Sequence, residues 1–172
     1  METALVKEAK KGNKEALLNL IMAQKSDYYK LAFAYMKNED CSVDALQDMI
    51  VVLYDNIKKL TKNEAFYSWS KTILVNICKA KLKKNKRLMS LEEIKEDIAV
   101  ETINNPEDKI FLDRYISRLS IKHQEVIKLR YYLDYDYESI SQILKIPLGT
   151  VKSRLNAGIS KLREAIGGDF YG

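Results

Sequence analysis

Histidine, proline, glycine and cysteine are all scarce in this 172-residue chain, which contains one, two, six and two of them respectively. With His123 as the lone imidazole and no metal-type cysteine spacing, no metal centre is expected. No glycine-rich phosphate loop, paired carboxylates or Ser/Cys–His arrangement stands out, so neither a catalytic site nor a cofactor is expected. Cys41 and Cys78 read as small, buried or half-buried thiols rather than a disulfide framework. So few glycines and prolines argue against a loop-rich β protein. No apolar run approaches the roughly 20 residues that span a bilayer. The N-terminus is charged from the start (Glu2, Lys7, Glu8, Lys10, Lys11), unlike an export signal, and the reading places the protein in the cytoplasm.

What is present favours helix. Leu, Ile, Lys and Glu dominate, 47% of residues are apolar and 31% are charged, so an all-α protein with a soluble surface is expected. The net charge of +5 and pI near 9.0 suit a polyanion partner without proving one.

The most informative stretch is residues 133–163. Asp136 is a good N-cap for a short helix, predicted over 137–144, with Ile140, Ile143 and Leu144 as its apolar face. Pro147 forbids simple continuation, and a second helix is predicted from about Leu148, with Val151, Leu155, Ile159 and Leu162 at helical spacing. Thr150, Lys152, Ser153, Arg154, Lys161 and Arg163 stand between those positions, and no carboxylate occurs from 145 to 163. One apolar seam, one basic and hydroxyl-rich face and a short turn describe a DNA-binding helix-turn-helix. An ordinary helical hairpin with a solvated basic face fits the same pattern.

Upstream, a short helix over 3–10 is expected to end at Gly12, and Asn13 to cap a long helix over 14–36. Ser42 is expected to cap a third helix reaching about Leu60, with Leu46, Met49, Leu53, Ile57 and Leu60 inside. A fourth is expected over 64–86, burying Phe66, Trp69, Ile73, Ile77 and Ala80. Its far end is basic: Lys71, Lys79, Lys81, Lys83, Lys84, Lys86 and Arg87 fall in a span without an acid. Aromatic surface followed by cations suits a nucleic-acid strand; a solvated lysine-rich helix end is the plainer reading. Charge then reverses, with eight acids against two lysines over 90–113. That segment reads as a linker, with a transient helix capped by Ser90 and Glu93. Pro106 opens the next helix, carrying Ile110, Ile116 and Leu119, and Ser120 is expected to cap a helix over 121–132.

Two helical domains, the first ending in an aromatic-then-basic helix and the second holding a helix-turn-helix, resemble the bacterial sigma factors, specifically the compact extracytoplasmic-function (ECF) group. The likeness rests on IPLGTVKSRL (146–155) preceded by YESISQIL, on DALQD (44–48), and on Phe66, Trp69, Asn76 and Lys83. The resemblance implies a first domain over 1–87, a flexible acidic linker over 88–105 and a second domain over 106–172. It implies a transcription initiation factor, not an enzyme, that binds core RNA polymerase near Asp44, Leu46, Gln47 and Asp48. It places Asn63, Trp69, Lys71, Asn76, Lys79 and Lys83 at the minus-ten element of promoter DNA, with a base captured near 61–64. Thr150, Lys152, Ser153 and Arg154 would read the minus-thirty-five element. An anti-sigma factor, membrane-anchored in most of the family, is the implied regulator. The chain departs from the family's pattern at Ala80, where an acid is usual, at Lys83 and Lys84, where arginines are commoner, and at Asn156, Ala157 and Gly158. A dimeric helix-turn-helix repressor and a protein-binding adaptor are the alternatives; the adaptor would have no use for the cations at 79–87 and 152–154.

Overall fold

Caps and breakers set the helix boundaries of this chain, whose computed structural model describes residues 1–91 and 106–171, with side chains over 1–88 and 111–168. It divides into two compact units, Met1–Asp97 and Ile98–Gly172. The first holds α1 (Glu2–Lys10), α2 (Lys14–Ala23), α3 (Lys25–Met36), α4 (Glu39–Asn56) and α5 (Phe66–Leu91). The second holds α6 (Pro106–Ser117), α7 (Ile121–Ile127), α8 (Tyr137–Leu144) and α9 (Leu148–Tyr171). The described residues contain no strand.

Gly12 ends the first helical segment with a φ of +99°, a conformation glycine adopts without Cβ strain. Asn13 then accepts the Ala16 N–H at 3.1 Å and starts α2, as expected. The expected single helix over 14–36 is two helices. At Gln24 (φ −120°, ψ 29°) the chain leaves helical geometry, so α2 and α3 bury their apolar faces against different partners. Helix α2 packs Ala16, Leu17, Leu20 and Ile21 with α1, whereas α3 packs Tyr28, Leu31, Ala32 and Met36 with α4 and α5.

The cap of α4 also differs from expectation. Asn38, not Ser42, accepts the Cys41 N–H at 2.9 Å. Ser42 lies inside the helix, fully buried, and donates its hydroxyl to the Asn38 carbonyl at 2.6 Å. Ala45, Met49, Leu53, Ile57 and Leu60 enter the core with Phe66, Leu74 and Val75. Ala45 apart, each of these side chains contributes about 1.5–3 kcal/mol by leaving water. Cys78 is buried there too, and desolvation pushes its thiol up to about 12, leaving it an inert packing residue; Cys41 is half-buried.

Helix α5 continues to Leu91, through Ser90, so Ser90 caps no new helix. The rest of the expected linker, with Glu93, lies outside the described residues, as does the Ile110 side chain. Ser120 occupies the N-cap position of α7 without a side-chain capping bond, and the expected 121–132 helix changes at Lys128–Tyr132 to a π turn. In this unit Ile116, Val126, Leu129, Ile140, Ile143, Val151 and Leu155 form the core.

Candidate nucleic-acid interface

Helix α5 turns a different face inward than its apolar residues suggest. Phe66, Ser70, Lys71, Leu74, Val75 and Cys78 are buried, while Trp69, Ile73 and Ile77 are half-buried and Ala80 is exposed. At about 100° per residue, Trp69, Ile73, Asn76, Ala80 and Lys83 fall within a stripe of roughly 80° on the outer side. Asn76 and Lys83 are exposed on it, Lys79 is half-buried beside it, and Lys84 and Arg87 extend it. Trp69 leans on Phe66, ring centroids 6.2 Å apart, which fixes an aromatic shelf at the head of that stripe. Ala80 keeps the middle of the stripe short and uncharged.

Lys71 is the exception among the expected DNA contacts. Two residues beyond Trp69, it sits about 200° around the helix and points into the domain. Its side chain is 10% exposed, its ammonium bonds Asp27 at 2.5 Å, and the Tyr28 ring lies 6.0 Å away. Next to it, the Tyr28 hydroxyl pairs with Ser70 at 2.7 Å, and burial raises its pKa well above the ordinary phenol value. The fold thus gives the Lys71 cation an internal partner, where the expectation put it on the DNA-facing side. Asn63, ahead of the helix in a 3₁₀ turn (Asn63–Ala65), is half-buried and accepts from the Lys10 ammonium at 2.6 Å.

In the second unit the helix-turn-helix forms as expected. Asp136 accepts the Ser139 N–H at 2.7 Å, and that bond holds its carboxyl below the usual carboxylate range. Lys145 closes α8 in the left-handed region (φ 52°), and the Ser141 hydroxyl donates to the Ile146 carbonyl at 2.6 Å, tying off the turn before Pro147. Val151 and Leu155 bury the inner side of α9. Lys152 and Ser153 are exposed, and Thr150 and Arg154 are half-buried. Thr150, Arg154, Ala157 and Lys161 share one stripe of roughly 60°, whereas Lys152 stands on the opposite flank, placed for a different partner group.

Gly158, which reads from sequence as a mere departure, has a packing role. It is buried, and a Cβ there would come 3.0 Å from Ile127 Cδ1 and 3.2 Å from His123 Cβ, tighter than ordinary contact, so the absent side chain eases the close approach of α9 to α7. Burial lowers the pKa of His123, and Lys161 and Arg154 lower it further.

On α4, Asp44 and Asp48 are one turn apart and Lys81 of α5 forks between them at 2.6 and 2.7 Å. The two carboxylates raise the Lys81 pKa, and they stay about half exposed while the lysine is 24% exposed. Gln47 is exposed and Leu46 half-buried. Sequence reasoning missed their apolar neighbours. Val43, Ile50, Val51 and Tyr54 are all exposed, Val51 by 60%, and with Gln47 they form a stripe opposite Ala45 and Met49. The signal was available: α4 carries a second apolar series at i, i+7, i+8 and i+11, which one buried face does not need.

Two family models match the chain, Sigma-70 region 2 over residues 20–88 and Sigma-70, region 4 over residues 115–164. It is 27% identical over 158 residues to the RNA polymerase sigma factor SigV of Bacillus subtilis, covering 90% of this chain and 93% of that one. It is 26% identical over 177 residues to the ECF RNA polymerase sigma factor SigW of the same organism, covering 94% of each. Among solved structures it is similar to the sigma factor RpoE of Bartonella quintana, determined with the anti-sigma factor NepR. That likeness has a TM-score of 0.67 at 20% identity, over 86% of this chain and 94% of that chain, and it speaks to the fold.

Proposed function

We propose a division of labour for this chain, which belongs to the extracytoplasmic-function group of bacterial sigma factors and is a transcription initiation factor rather than an enzyme. The first domain, residues 1–87, docks on core RNA polymerase through the exposed side of α4 and opens the minus-ten element along α5. The second, residues 106–172, reads the minus-thirty-five element in the major groove with α9. Residues 88–105 are the connecting segment. The observation that carries this reading is the placement of cations: the two matched segments fall one in each unit, and each ends on a helix with outward cations.

The chemistry supports each role. Val43, Gln47, Ile50, Val51 and Tyr54 offer an apolar strip edged by Asp44 and Asp48, suited to a helical polymerase surface with cations at its margin. Trp69, braced from beneath by the buried Phe66, stacks an unpaired base while Asn76, Lys79 and Lys83 follow the strand beside it. On α9, Thr150, Ser153 and Arg154 approach base edges near the helix start, and Lys152 takes a phosphate on the other flank. An anti-sigma factor covers these surfaces in the resting cell, and a membrane-anchored one would hold this cytoplasmic protein at the bilayer. Among the described residues no helix is long and apolar enough to cross a membrane. Sigma-factor matches to both units leave no support for the dimeric repressor.

The test is promoter-directed transcription with purified core polymerase over a library of upstream sequences. Transcripts from a two-element promoter, dependent on this protein, are expected. Val51→Asp should weaken core binding at least tenfold, since it puts a charge into an apolar contact, and leave the thermal midpoint unchanged. Arg154→Ala should relax one upstream position by about 1–3 kcal/mol. Absence of start sites, with dimeric binding to a palindrome, overturns the reading.

A further inference from the structure

The family match to region 2 begins at residue 20, so α1 and the first part of α2 precede it. That hairpin nevertheless holds the entrance of α5. Helix α1 buries Val6 and Ala9, and packs on both 3₁₀ turns that flank 60–62, Ile57–Lys59 and Asn63–Ala65. Two long-range bonds reach across. The Tyr67 hydroxyl donates to the Leu20 carbonyl at 3.1 Å, and the Lys10 ammonium donates to Asn63 Oδ1 at 2.6 Å across 53 residues of sequence. Lys10 and Asn63 are both half-buried, and the ammonium makes this a charge-assisted bond, stronger than one between neutral groups.

The bond has a directional consequence. A free asparagine amide offers an acceptor or a donor by turning over about its last torsion. With its oxygen held by an ammonium, which can only donate, Asn63 is locked in one orientation and has its N–H₂ group left to offer. Turning it over would set N–H₂ against NH₃⁺, two donors face to face.

We propose that Lys10 is a positioning residue for promoter specificity: through Asn63 it makes the loop before α5 a hydrogen-bond donor, so that the loop favours a base edge with an acceptor at that point. This rests on the reading that residues 61–64 receive an unstacked promoter base. Helix α1 thereby belongs to the minus-ten reader although it precedes the matched segment, and the specificity of the loop is set partly from outside it.

The experiment is a start-site library, randomised across both promoter elements and transcribed by full-length protein with core polymerase. Wild type, Lys10→Met, Lys10→Gln, Lys10→Arg, Asn63→Ala and Lys10→Met/Asn63→Ala are compared. Methionine keeps the aliphatic stem and its packing, and glutamine supplies a second variant without charge. Expected is a roughly fivefold to tenfold flattening of preference at one downstream position for both neutral variants, with edges bearing a donor newly tolerated. Upstream preferences stay as in wild type, arginine restores the profile, and the double variant goes no further than Asn63→Ala. If Asn63→Ala flattens a position and both neutral Lys10 variants leave it sharp, the role of Lys10 is overturned and the loop reading stands. If neither residue affects any position, the loop reading falls as well. A uniform loss over all promoters, with a lowered thermal midpoint, makes α1 merely structural and overturns the proposal.

Discussion

Lys71 separates two accounts of the same residue, a DNA-facing cation or the inner half of an ion pair, and the pair's geometry predicts an asymmetry. Its side chain is 10% exposed and that of Asp27 is 35% exposed. Asp27→Ala takes the carboxylate from an ammonium that water hardly reaches, and removing one partner of a buried pair costs about 3–5 kcal/mol; the lower end applies because Asp27 is itself partly solvated. Lys71→Met leaves the carboxylate at the wetter end, where water replaces the lost partner, and the thioether fills the vacated space. Its cost should be about 1 kcal/mol, a charge-assisted bond discounted for that exposure. Asp27→Asn/Lys71→Met should recover most of the loss. Trp69, the single tryptophan, reports on this unit, so urea unfolding of the full chain followed by its fluorescence measures all three. In parallel, the slope of log affinity against log salt for holoenzyme on promoter DNA should not change in Lys71→Met, whereas losing a phosphate contact lowers it by about 1. An unchanged unfolding midpoint with a shallower salt slope would refute the ion-pair account and return Lys71 to the DNA.

Two further outcomes follow from the second unit. Asp136→Ala should lower the thermal midpoint of the helix-turn-helix and weaken upstream-element use, while Asp136→Asn keeps most of the cap. Because the folded Asp136 carboxyl titrates below its ordinary value of 3.8, its contribution is complete above that pH and disappears as pH falls through the lower folded value; acid titration of wild type against Asp136→Asn checks this sign. Gly158→Val should destabilise the unit by about 1–3 kcal/mol through overpacking against Ile127 and His123, read by thermal unfolding. Unchanged stability there would mean that α9 does not rest on α7 as closely as described.

Local chemistry determined much of this protein before any tertiary contact was considered. The all-α class, Asn13 and Asp136 as caps, Gly12 and Pro147 as breakers and the apolar seam of α8 and α9 are each settled within a few residues, because capping bonds, ring sterics and the 3.6-residue period act at that range. The two-domain sigma resemblance followed from those segments in order. Tertiary structure decided what local rules leave degenerate. Asn38 and Ser42 are both competent caps, and the packing that buries Ser42 selected Asn38. Helix α5 carries apolar residues on two sides, Trp69, Ile73 and Ile77 against Leu74, Val75 and Cys78, and periodicity says which residues share a side but not which side is covered. Helices α3 and α4 cover the second, which brings Lys71 inside with Asp27 and leaves Trp69, Asn76 and Lys83 outside. The same ambiguity hid the exposed strip of α4. A lysine reads as a surface charge until its partner 44 residues away is known, because the sequence states the charge and only the fold supplies the neighbour.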